Sequence, residues 1–430
     1  MFVELHVIQN FAPSNLNRDD TGSPKDCLFG GYRRARVSSQ CFKRAVREMF
    51  KEGSLFTAAQ KRSLAERTRL LTDEITKRLC AAGKTESDAR RLVEIALNAA
   101  ELEVKENGQT EYLVFIGQAE INAIAQLCIE RWDKLMDVDA AYAEARQLQT
   151  QIKEADEKAK NGTREEKSQA KAVGRELKEK LKAAQETAKK SIPKDLKDAV
   201  LKSLNGGKAA DLALFGRMLA NLPEKNIDAA SQVAHAISTH KSGVEFDFYT
   251  AVDDLLPRGE TGAGMMGTVE FNSACFYRYA NLDLGQLREN LQDAELEDAT
   301  TEAFIRAFIE AVPTGKQHST APQQKPAFVL AVVREAGLWS LANAFVNPVP
   351  TNRGDLVEVS ILRLDKHWGE LAAMYGTKGV KGQWFAKLGE GKLDNLGERV
   401  KPGGGQTMID ALVARVREAI NGSNQIHTQS

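Results

Sequence analysis

The chain opens with alternating apolar and polar residues, the pattern of a half-buried strand. In Phe2–Ile8 the aliphatic side chains of Val3, Leu5 and Val7 alternate with polar ones. The stretch 13–31 that follows is rich in Asn, Asp, Ser, Gly and Pro, which favour turns. Ser38 then offers a hydroxyl that can accept a hydrogen bond from a free backbone amide. The first fifty residues therefore predict a strand, a polar loop and a helix.

The pattern from about residue 52 to residue 214 is mostly helical. Within it, Asp139–Lys190 carries two weak apolar stripes at three- and four-residue spacing, separated by Asn161-Gly162. The stripes consist of Tyr142, Ala145, Gln149, Ile152, Asp156 and Ala159, and then of Ala170, Val173, Leu177, Leu181, Ala184 and Ala188. This spacing predicts an antiparallel helical hairpin of the coiled-coil type. Its 13 basic and 10 acidic residues are typical of a solvated projection. The alternative is a docking arm for a partner or for nucleic acid.

Strand patterns return after residue 214. Residues 269–271, 274–279 and 327–334 read as strands, and a helix is expected between them at about 287–312. Together with the opening strand and helix, this β-α-β order predicts an α+β fold with a split ferredoxin-like sheet. The helical block would be a large insertion into that sheet. A terminal helix is expected at 408–420.

Composition limits the function less than the pattern does. No stretch of the 430 residues approaches the roughly 20 apolar residues that cross a bilayer, and the first strand lacks the basic flank of a signal peptide. We therefore expect a cytoplasmic protein. The five cysteines form no C-x-x-C pair, which argues against a disulfide framework or a zinc site. The 59 basic residues are balanced by 59 acidic ones, so any binding of phosphate depends on a local basic stripe.

Such a stripe lies in 33–47, which contains six cationic residues and no acidic one. At 100° per residue, Phe42, Ala45, Val46 and Met49 share one helix face. The opposite face carries Gln40, Lys43, Arg44 and Arg47. Ser38, Ser39 and the free amides at the helix start are expected to favour an anion. The pattern predicts a grip for a phosphodiester backbone, and the alternative is an ordinary basic solvent face.

The other candidate sites are weaker. Asp19 and Asp20, with Asp26 nearby, would suit a Mg²⁺ ion beside a phosphate, but such pairs in turn-rich loops are more often turn formers. His235 and His240 are five residues apart, which is the wrong spacing for two ligands on one helix face. The glycine-rich stretch 259–267 lacks the Lys-Ser/Thr of a nucleotide-binding loop and is interpreted as a hairpin tip. No catalytic residue, metal site or cofactor is expected.

A series of short motifs carries a resemblance to a known family. Its members, in chain order, are Leu16-Asn17-Arg18-Asp19-Asp20, Lys25-Asp26, Phe29-Gly30-Gly31, Arg33-Arg34, Val37-Ser38-Ser39-Gln40, Lys43-Arg44-Ala45, Gly216-Arg217-Met218, Ala234-His235-Ala236-Ile237, Tyr249-Thr250-Ala251-Val252-Asp253-Asp254, Phe276-Tyr277-Arg278-Tyr279-Ala280-Asn281 and Leu341-Ala342-Asn343-Ala344-Phe345. The chain thereby resembles the CasC (Cse4) family, the repeated backbone subunits of the type I-E Cascade complex of CRISPR immunity.

The resemblance implies a right-hand-like shape. An RRM-like palm would comprise 1–50 and 215–365, helical fingers 51–214 with the charged hairpin at 139–191, and a thumb hairpin 248–271. The resemblance assigns no role to the segment 366–430. By motif, the residues expected to grip the guide backbone are Arg18, Lys25, Ser38, Gln40, Lys43, Arg44 and Arg47. Met218 and Tyr249 would flank displaced bases, and Tyr249 keeps an aromatic face for stacking.

The resemblance also implies the partners. Copies of the chain would stack along a guide CRISPR RNA, which pairs with target DNA, beside other Cascade subunits and a downstream nuclease-helicase, with no membrane involved. The charged hairpin is an addition to the family pattern, and the tail beyond about 350 matches poorly. Two other functions remain open. One is a metal-dependent ribonuclease using Asp19 and Asp20, and the other is a protein-docking module built on the hairpin.

Overall fold

The computed structural model describes residues 1–105, 107–161, 164–252, 263–352 and 354–427. The chain forms two compact units. Unit 1 comprises Met1–Lys61 and Ala229–Ser430, and unit 2 comprises Arg62–Asp228. Among the described residues, no helix is both long enough and apolar enough to cross a membrane.

Strands and helices alternate in blocks along the chain. The strands are β1 (Phe2–Ser14), β2 (Asp26–Phe29), β3 (Tyr32–Val37), β4 (Ala65–Thr68), β5 (Val114–Gly117), β6 (Ser231–Val233), β7 (Ala236–Ser238), β8 (Glu245–Val252), β9 (Ala263–Asp283), β10 (Phe328–Arg334), β11 (Val380–Lys387) and β12 (Glu398–Arg399). The α-helices are α1 (Ser39–Glu52), α2 (Ala58–Arg62), α3 (Leu71–Ala81), α4 (Glu86–Ala99), α5 (Gln118–Glu130), α6 (Trp132–Ala141), α7 (Ala143–Asn161), α8 (Arg164–Lys190), α9 (Lys194–Ser203), α10 (Ala210–Phe215), α11 (Leu284–Leu291), α12 (Ala294–Glu310), α13 (Gln317–Thr320), α14 (Leu356–Tyr375) and α15 (Met408–His427).

Unit 1 is built on one large, mostly antiparallel sheet. Its order is β12-β11-β10-β1-β9-β7-β3-β2, and β6 and β8 also pair with β9. The central strand β1 is antiparallel to both of its neighbours, with Leu5 opposite Ala331 of β10 and Ala280 of β9. Strands β9 and β10 therefore run parallel, and α11 and α12 form the crossover between them. The α+β expectation is confirmed.

Helices and loops cover both faces of this sheet. On one face Phe11 and Phe276 pack with Phe42 of α1, and the guanidinium of Arg278 stacks between the rings of Phe42 and Phe308 at 4.3 and 4.8 Å. On the other face the core includes Tyr277, Phe328, Phe345 and Trp368 of α14. The aromatic residues of the central strands are therefore buried on both faces of the sheet.

Several predicted elements differ in extent. The two strands expected at 269–271 and 274–279 are one continuous strand, β9. The helix expected at about 287–312 is two helices, because Gln292 adopts a left-handed conformation at a φ of 48° and Asp293 caps α12. The strand at 327–334 and the terminal helix are present as β10 and α15. The domain limit drawn between 365 and 366 falls inside α14.

Unit 2 is mainly helical, with the two-stranded sheet β4-β5. Its core packs α3, α4, α5 and α9 around aliphatic side chains such as Leu79, Leu92 and Ile124. The predicted helical hairpin is present as α7 and α8, which pack against each other. Its turn at Gly162 and Thr163 lies outside the described residues.

Candidate nucleic-acid interface

The polar loop between β1 and β2 is ordered by Asp19. The Oδ1 atom of Asp19 accepts hydrogen bonds from the Thr21 amide at 2.9 Å, the Thr21 hydroxyl at 2.7 Å and the Ser23 amide at 3.0 Å. These bonds, above all the one from the Thr21 hydroxyl, hold the pKa of Asp19 below its usual value. Asp19 is thus a turn-forming residue whose carboxylate is already engaged within the loop.

The first turn of α1 is capped by side chains. Ser38 Oγ accepts from the Cys41 amide at 3.3 Å, and Asn17 Oδ1 accepts from the Ser38 amide at 2.8 Å. The ring Nδ1 of His235 accepts from the Ser39 amide at 3.1 Å. The expectation of free amides for an anion is therefore wrong at these three positions. Phosphate binding here has to rely on side chains.

A polar cleft of about 580 Å³ lies between the loop and α1. Arg18, Asp19 and Asp20 line one wall, and Arg44 and Glu48 of α1 line the other. Arg18 and Arg44 are exposed. The cleft thus joins the two segments that carry most of the predicted phosphate contacts, and two cations face a space that a backbone phosphate can enter.

The other residues predicted to contact the guide backbone, on α1 and in the loop, differ in how exposed they are. Gln40 is exposed, Lys25 and Lys43 are half-buried, and Ser38 is buried as the cap. Arg47 is only 8% exposed, so its predicted place on the solvent face is wrong. It follows Val46 at the border of the buried face, where the long aliphatic stem of an arginine packs readily.

His235 and Arg36 also meet at this site. His235 was expected to be structural, and its exposed ring contacts the helix start and lies 3.4 Å from Nη1 of Arg36. Partial burial and the positive charges of Arg36 and Lys25 lower the pKa of His235. This shift favours the neutral ring, which is the form that can accept from the Ser39 amide. The pairing of Arg36 and His235 depends on tertiary structure and has no local sequence signal.

The thumb hairpin is formed by β8 and the start of β9. Tyr249 is 41% exposed and pairs with Gly267, over whose Cα its ring lies. Phe246, Phe248 and Met266 are exposed on the opposite face of the hairpin. The tip, residues 253–262, lies outside the described residues, and so do residues 259–262 of the glycine-rich stretch. The exposed phenylalanines were missed, although their spacing of two in Glu245–Val252 is a strand signal.

Met218 belongs to unit 2. It is 83% exposed at the rim of an apolar hollow of about 170 Å³ that is also lined by Tyr112, Leu113 and Leu222. The adjacent Arg217 is buried and pairs with Glu120 at 2.9 Å. The short motif that contains both residues therefore combines a structural cation with an exposed apolar side chain.

The CT1975-like protein family matches residues 3–414. The chain belongs to this family. Comparison with curated protein sequences finds none that matches it.

Two solved structures extend the relationship of this CT1975-like chain. A chain of a "CRISPR RNA-guided surveillance complex, pre-nicking" is 29% identical, with a TM-score of 0.73, and the match covers 96% of this chain and 100% of that chain. A chain of a "CRISPR RNA-guided surveillance complex" is 27% identical with a TM-score of 0.64 and the same coverage. These matches confirm the resemblance to Cascade backbone subunits. The type I-E assignment is more specific than the names of the two matched complexes.

The acidic residues of this CT1975-like chain show no obvious metal centre. Within the described ranges, no three His, Cys, Asp or Glu side chains cluster as metal ligands would. Asp20 lies in the cleft beside the engaged Asp19.

Proposed function

We propose that this chain is a non-catalytic, RNA-binding backbone subunit of a type I-E Cascade complex. In this proposal several copies lie along a guide CRISPR RNA that pairs with target DNA, beside other Cascade subunits and a downstream nuclease-helicase. The observation that carries the proposal is the polar cleft between Arg18 and Arg44 in a chain similar to subunits of RNA-guided surveillance complexes. Specificity would come from base pairing, so the protein needs to recognise only the RNA backbone.

The topology of unit 1 supports an RRM-like palm. The strand order β10-β1-β9-β7, with α1 after β1 and α12 after β9, is the order of a ferredoxin-like fold. RRM domains bind bases on an open sheet face, but here α14 covers the face that carries Tyr277. We therefore assign RNA binding to the polar loop and to the side of α1 that faces away from the sheet.

The proposed grip is electrostatic. Arg18, Lys25, Lys43 and Arg44 would contact phosphates, Gln40 would donate a hydrogen bond, and Ser38 would act indirectly by capping α1. Each cation that neutralises a phosphate releases counterions, so many weak contacts add up along the strand. Arg47 would support this helix from within the fold. Met218 and Tyr249 would flank displaced bases, with the Tyr249 ring as a stacking surface.

The ribonuclease alternative is less well supported. A metal-dependent nuclease needs carboxylate oxygens that are free to bind the ion. The Oδ1 atom of Asp19 accepts three hydrogen bonds from its own loop, which favours the turn-forming role.

Charge reversal on α1 tests the proposal. Lys43→Glu with Arg44→Glu should abolish retention of RNA during purification, measured by the ratio of absorbance at 260 and 280 nm and by a gel. Lys366→Glu with Lys378→Glu alters two exposed lysines of the same unit by the same charge and should leave RNA retention unchanged. Undiminished RNA in the α1 variant, with the fold intact by circular dichroism, would refute the proposal. Mg²⁺-dependent cuts that vanish in Asp20→Ala would favour the nuclease.

A further inference from the structure

Asn15 is a buried amide at the end of β1. The residue is only 1% exposed. Its Nδ2 atom donates two hydrogen bonds, to the backbone oxygen of Gly22 at 3.0 Å and to that of Glu270 at 2.9 Å. The Oδ1 atom is buried as well and has no hydrogen-bond partner among the residues that the structure describes. Because an unsatisfied buried acceptor lowers stability, what this side chain contributes lies in its two donor bonds.

The two bonds join separate parts of the proposed RNA grip. Gly22 belongs to the polar loop and lines the cleft between this loop and α1. Glu270 lies in β9 opposite Phe246 of β8, at the root of the thumb hairpin. The loop and the thumb are far apart in sequence, and Asn15 is hydrogen-bonded to both. One side chain therefore connects the phosphate cleft to the thumb.

The thumb hairpin depends on such a connection because it leaves the sheet as a two-stranded ribbon. The backbone pairing of β1 with β9 ends at Ser14 and Asn272. From Phe271 towards the tip, β9 pairs with β8 alone in the part of the chain that the structure describes. Two-stranded ribbons are only marginally stable by themselves. The bond from Asn15 to Glu270 thus fixes the ribbon at the point where its support from β1 ends.

The polar loop is also attached to α1. The Oδ1 atom of Asn17 accepts a hydrogen bond from the amide of Ser38, at the start of the helix, at 2.8 Å. The backbone oxygen of Asn17 accepts from the Lys25 amide at 2.9 Å and closes the loop. Because Asn17 binds the helix and Asn15 binds the thumb, the loop is held between them. The cleft and the thumb are thereby kept at a defined distance from each other.

We propose that Asn15 is a positioning residue for guide binding, which holds the thumb where one stretch of RNA can occupy the cleft and the thumb together. This inference rests on the proposed function, in which phosphates enter the cleft and Tyr249 stacks on a displaced base. A strand held at two sites gains affinity only if their spacing matches its own, and binding groups have to stay within about 0.5 Å of the productive geometry. Asn15 itself contacts no RNA and acts through Gly22 and Glu270.

Three variants of the full-length protein separate this role from a contribution to folding. Asn15→Leu keeps a branched side chain and removes both donor bonds. Asn281→Leu makes the same replacement at the other end of β9, where a buried asparagine donates to Oε1 of Gln232 at 3.0 Å. Both leucine variants should be less stable than the original protein. Asn15→Ser keeps a hydroxyl that can donate to one of the two carbonyls, so it restores part of the connection.

The measurement is the affinity for a fluorescent single-stranded RNA of mixed sequence, in a double-mutant cycle with Tyr249→Ala. Asn15→Leu should weaken binding about tenfold in the original protein but less than about twofold in Tyr249→Ala, because a displaced thumb then has no ring left to lose. Asn15→Ser should lie between Asn15→Leu and the original protein. Asn281→Leu should change the affinity less than about twofold, since it touches neither the loop nor the thumb.

Equal losses for Asn15→Leu in the two backgrounds would overturn the inference. Equal losses for Asn15→Leu and Asn281→Leu would overturn it as well, because Asn15 would then act only on stability. Circular dichroism checks that each variant is folded, and Asn15→Ser takes the place of Asn15→Leu in the cycle if the leucine variant does not fold. An original protein without measurable RNA affinity would refute the proposed function and this inference together. That result differs from the two failures above, in which the original protein binds RNA.

Discussion

The Ser39 amide donates a hydrogen bond to Nδ1 of His235 at 3.1 Å, across almost two hundred residues of chain. This bond ties the start of α1 to the β6–β7 segment, at the point where the proposed RNA grip begins. Because Nδ1 accepts, the proton of the neutral ring lies on Nε2. The helix is thus positioned by a side chain that is far from it in sequence.

His235→Ala should destabilise the protein by about 1 kcal/mol, the usual cost of removing a side-chain acceptor at a helix start. His235→Asn should lose much less, because its amide oxygen can take the place of Nδ1. Urea unfolding followed by circular dichroism measures both. If the alanine variant is as stable as the original protein, the Ser39–His235 bond contributes nothing.

The sequence alone predicted the local features of this region well. The cap at Ser38, the buried Phe42 and Val46, and the exposed Gln40 and Arg44 follow from capping chemistry and helical spacing, which are local properties. Arg47 was placed wrongly because a residue at the border of two faces is assigned by its tertiary neighbours. The amides of Ser38 and Ser39 were taken as free because Asn17 and His235 reach them from elsewhere in the chain.

For the sheet as well, the sequence predicted the local elements but not the contacts between distant ones. Periodicity identified the strands of Phe2–Ile8 and Phe328–Arg334, but it gave no sign that α14 covers the face of Tyr277. The network there contains Glu4, an ionisable residue in the middle of a strand. Glu4 accepts a hydrogen bond from the Tyr279 hydroxyl at 2.7 Å and lies 3.2 Å from the guanidinium of Arg334. Buried polar residues look like exposed ones in a sequence, because only the partner explains their burial.

Buried His6 should make stability depend on pH. Burial lowers the pKa of His6 to about 3, whereas an unfolded histidine has a pKa of about 6.5. The stability is fully present above pH 6.5 and falls as the pH drops, because only the unfolded chain takes up the proton. His6 alone should cost about 1.4 kcal/mol between pH 7.5 and pH 5.5.

Urea unfolding of the original protein and of His6→Asn at these two pH values measures this contribution. The asparagine keeps an acceptor for the hydroxyl of Tyr277, which lies 2.9 Å from Nδ1 of His6. Burial raises the pKa of Glu4 and so works in the opposite direction at lower pH, which is why the comparison with the variant is needed. An unchanged pH dependence in His6→Asn would rule out His6 as the source.

The ion pair between Glu120 and Arg217 should be essential to unit 2. The Glu120 carboxylate accepts from the amides of Gly117 and Gly206 at 2.8 and 2.7 Å, and from Arg217 at 2.9 Å. Glu120→Gln leaves a buried guanidinium without its counter-charge, so we expect a loss of about 3–5 kcal/mol. Lys197→Gln breaks the exposed pair with Glu101 and should cost less than about 1 kcal/mol. Similar losses in both variants, measured by urea unfolding, would contradict this assignment.

Gly267 should control the orientation of the Tyr249 ring. A Cβ atom at position 267 would lie 2.5 Å from the Tyr249 hydroxyl, so Gly267→Ala must displace the end of this side chain. If Tyr249 stacks on a displaced base of the guide, Tyr249→Ala should weaken RNA binding by about 1–3 kcal/mol. Tyr249→Phe keeps the ring and should change little, and Gly267→Ala should fall between the two.

Gly243→Ala is the matched control, because a Cβ atom there meets nothing within 4 Å. RNA affinity is measured by fluorescence anisotropy, and circular dichroism checks that each variant is folded. A Gly267→Ala protein that binds RNA as tightly as the original, alongside a weakened Tyr249→Ala, would mean that the ring tolerates displacement. If Tyr249→Ala also binds normally, the thumb contacts RNA through other residues, and the exposed Phe246 and Phe248 on its opposite face become the side chains to replace.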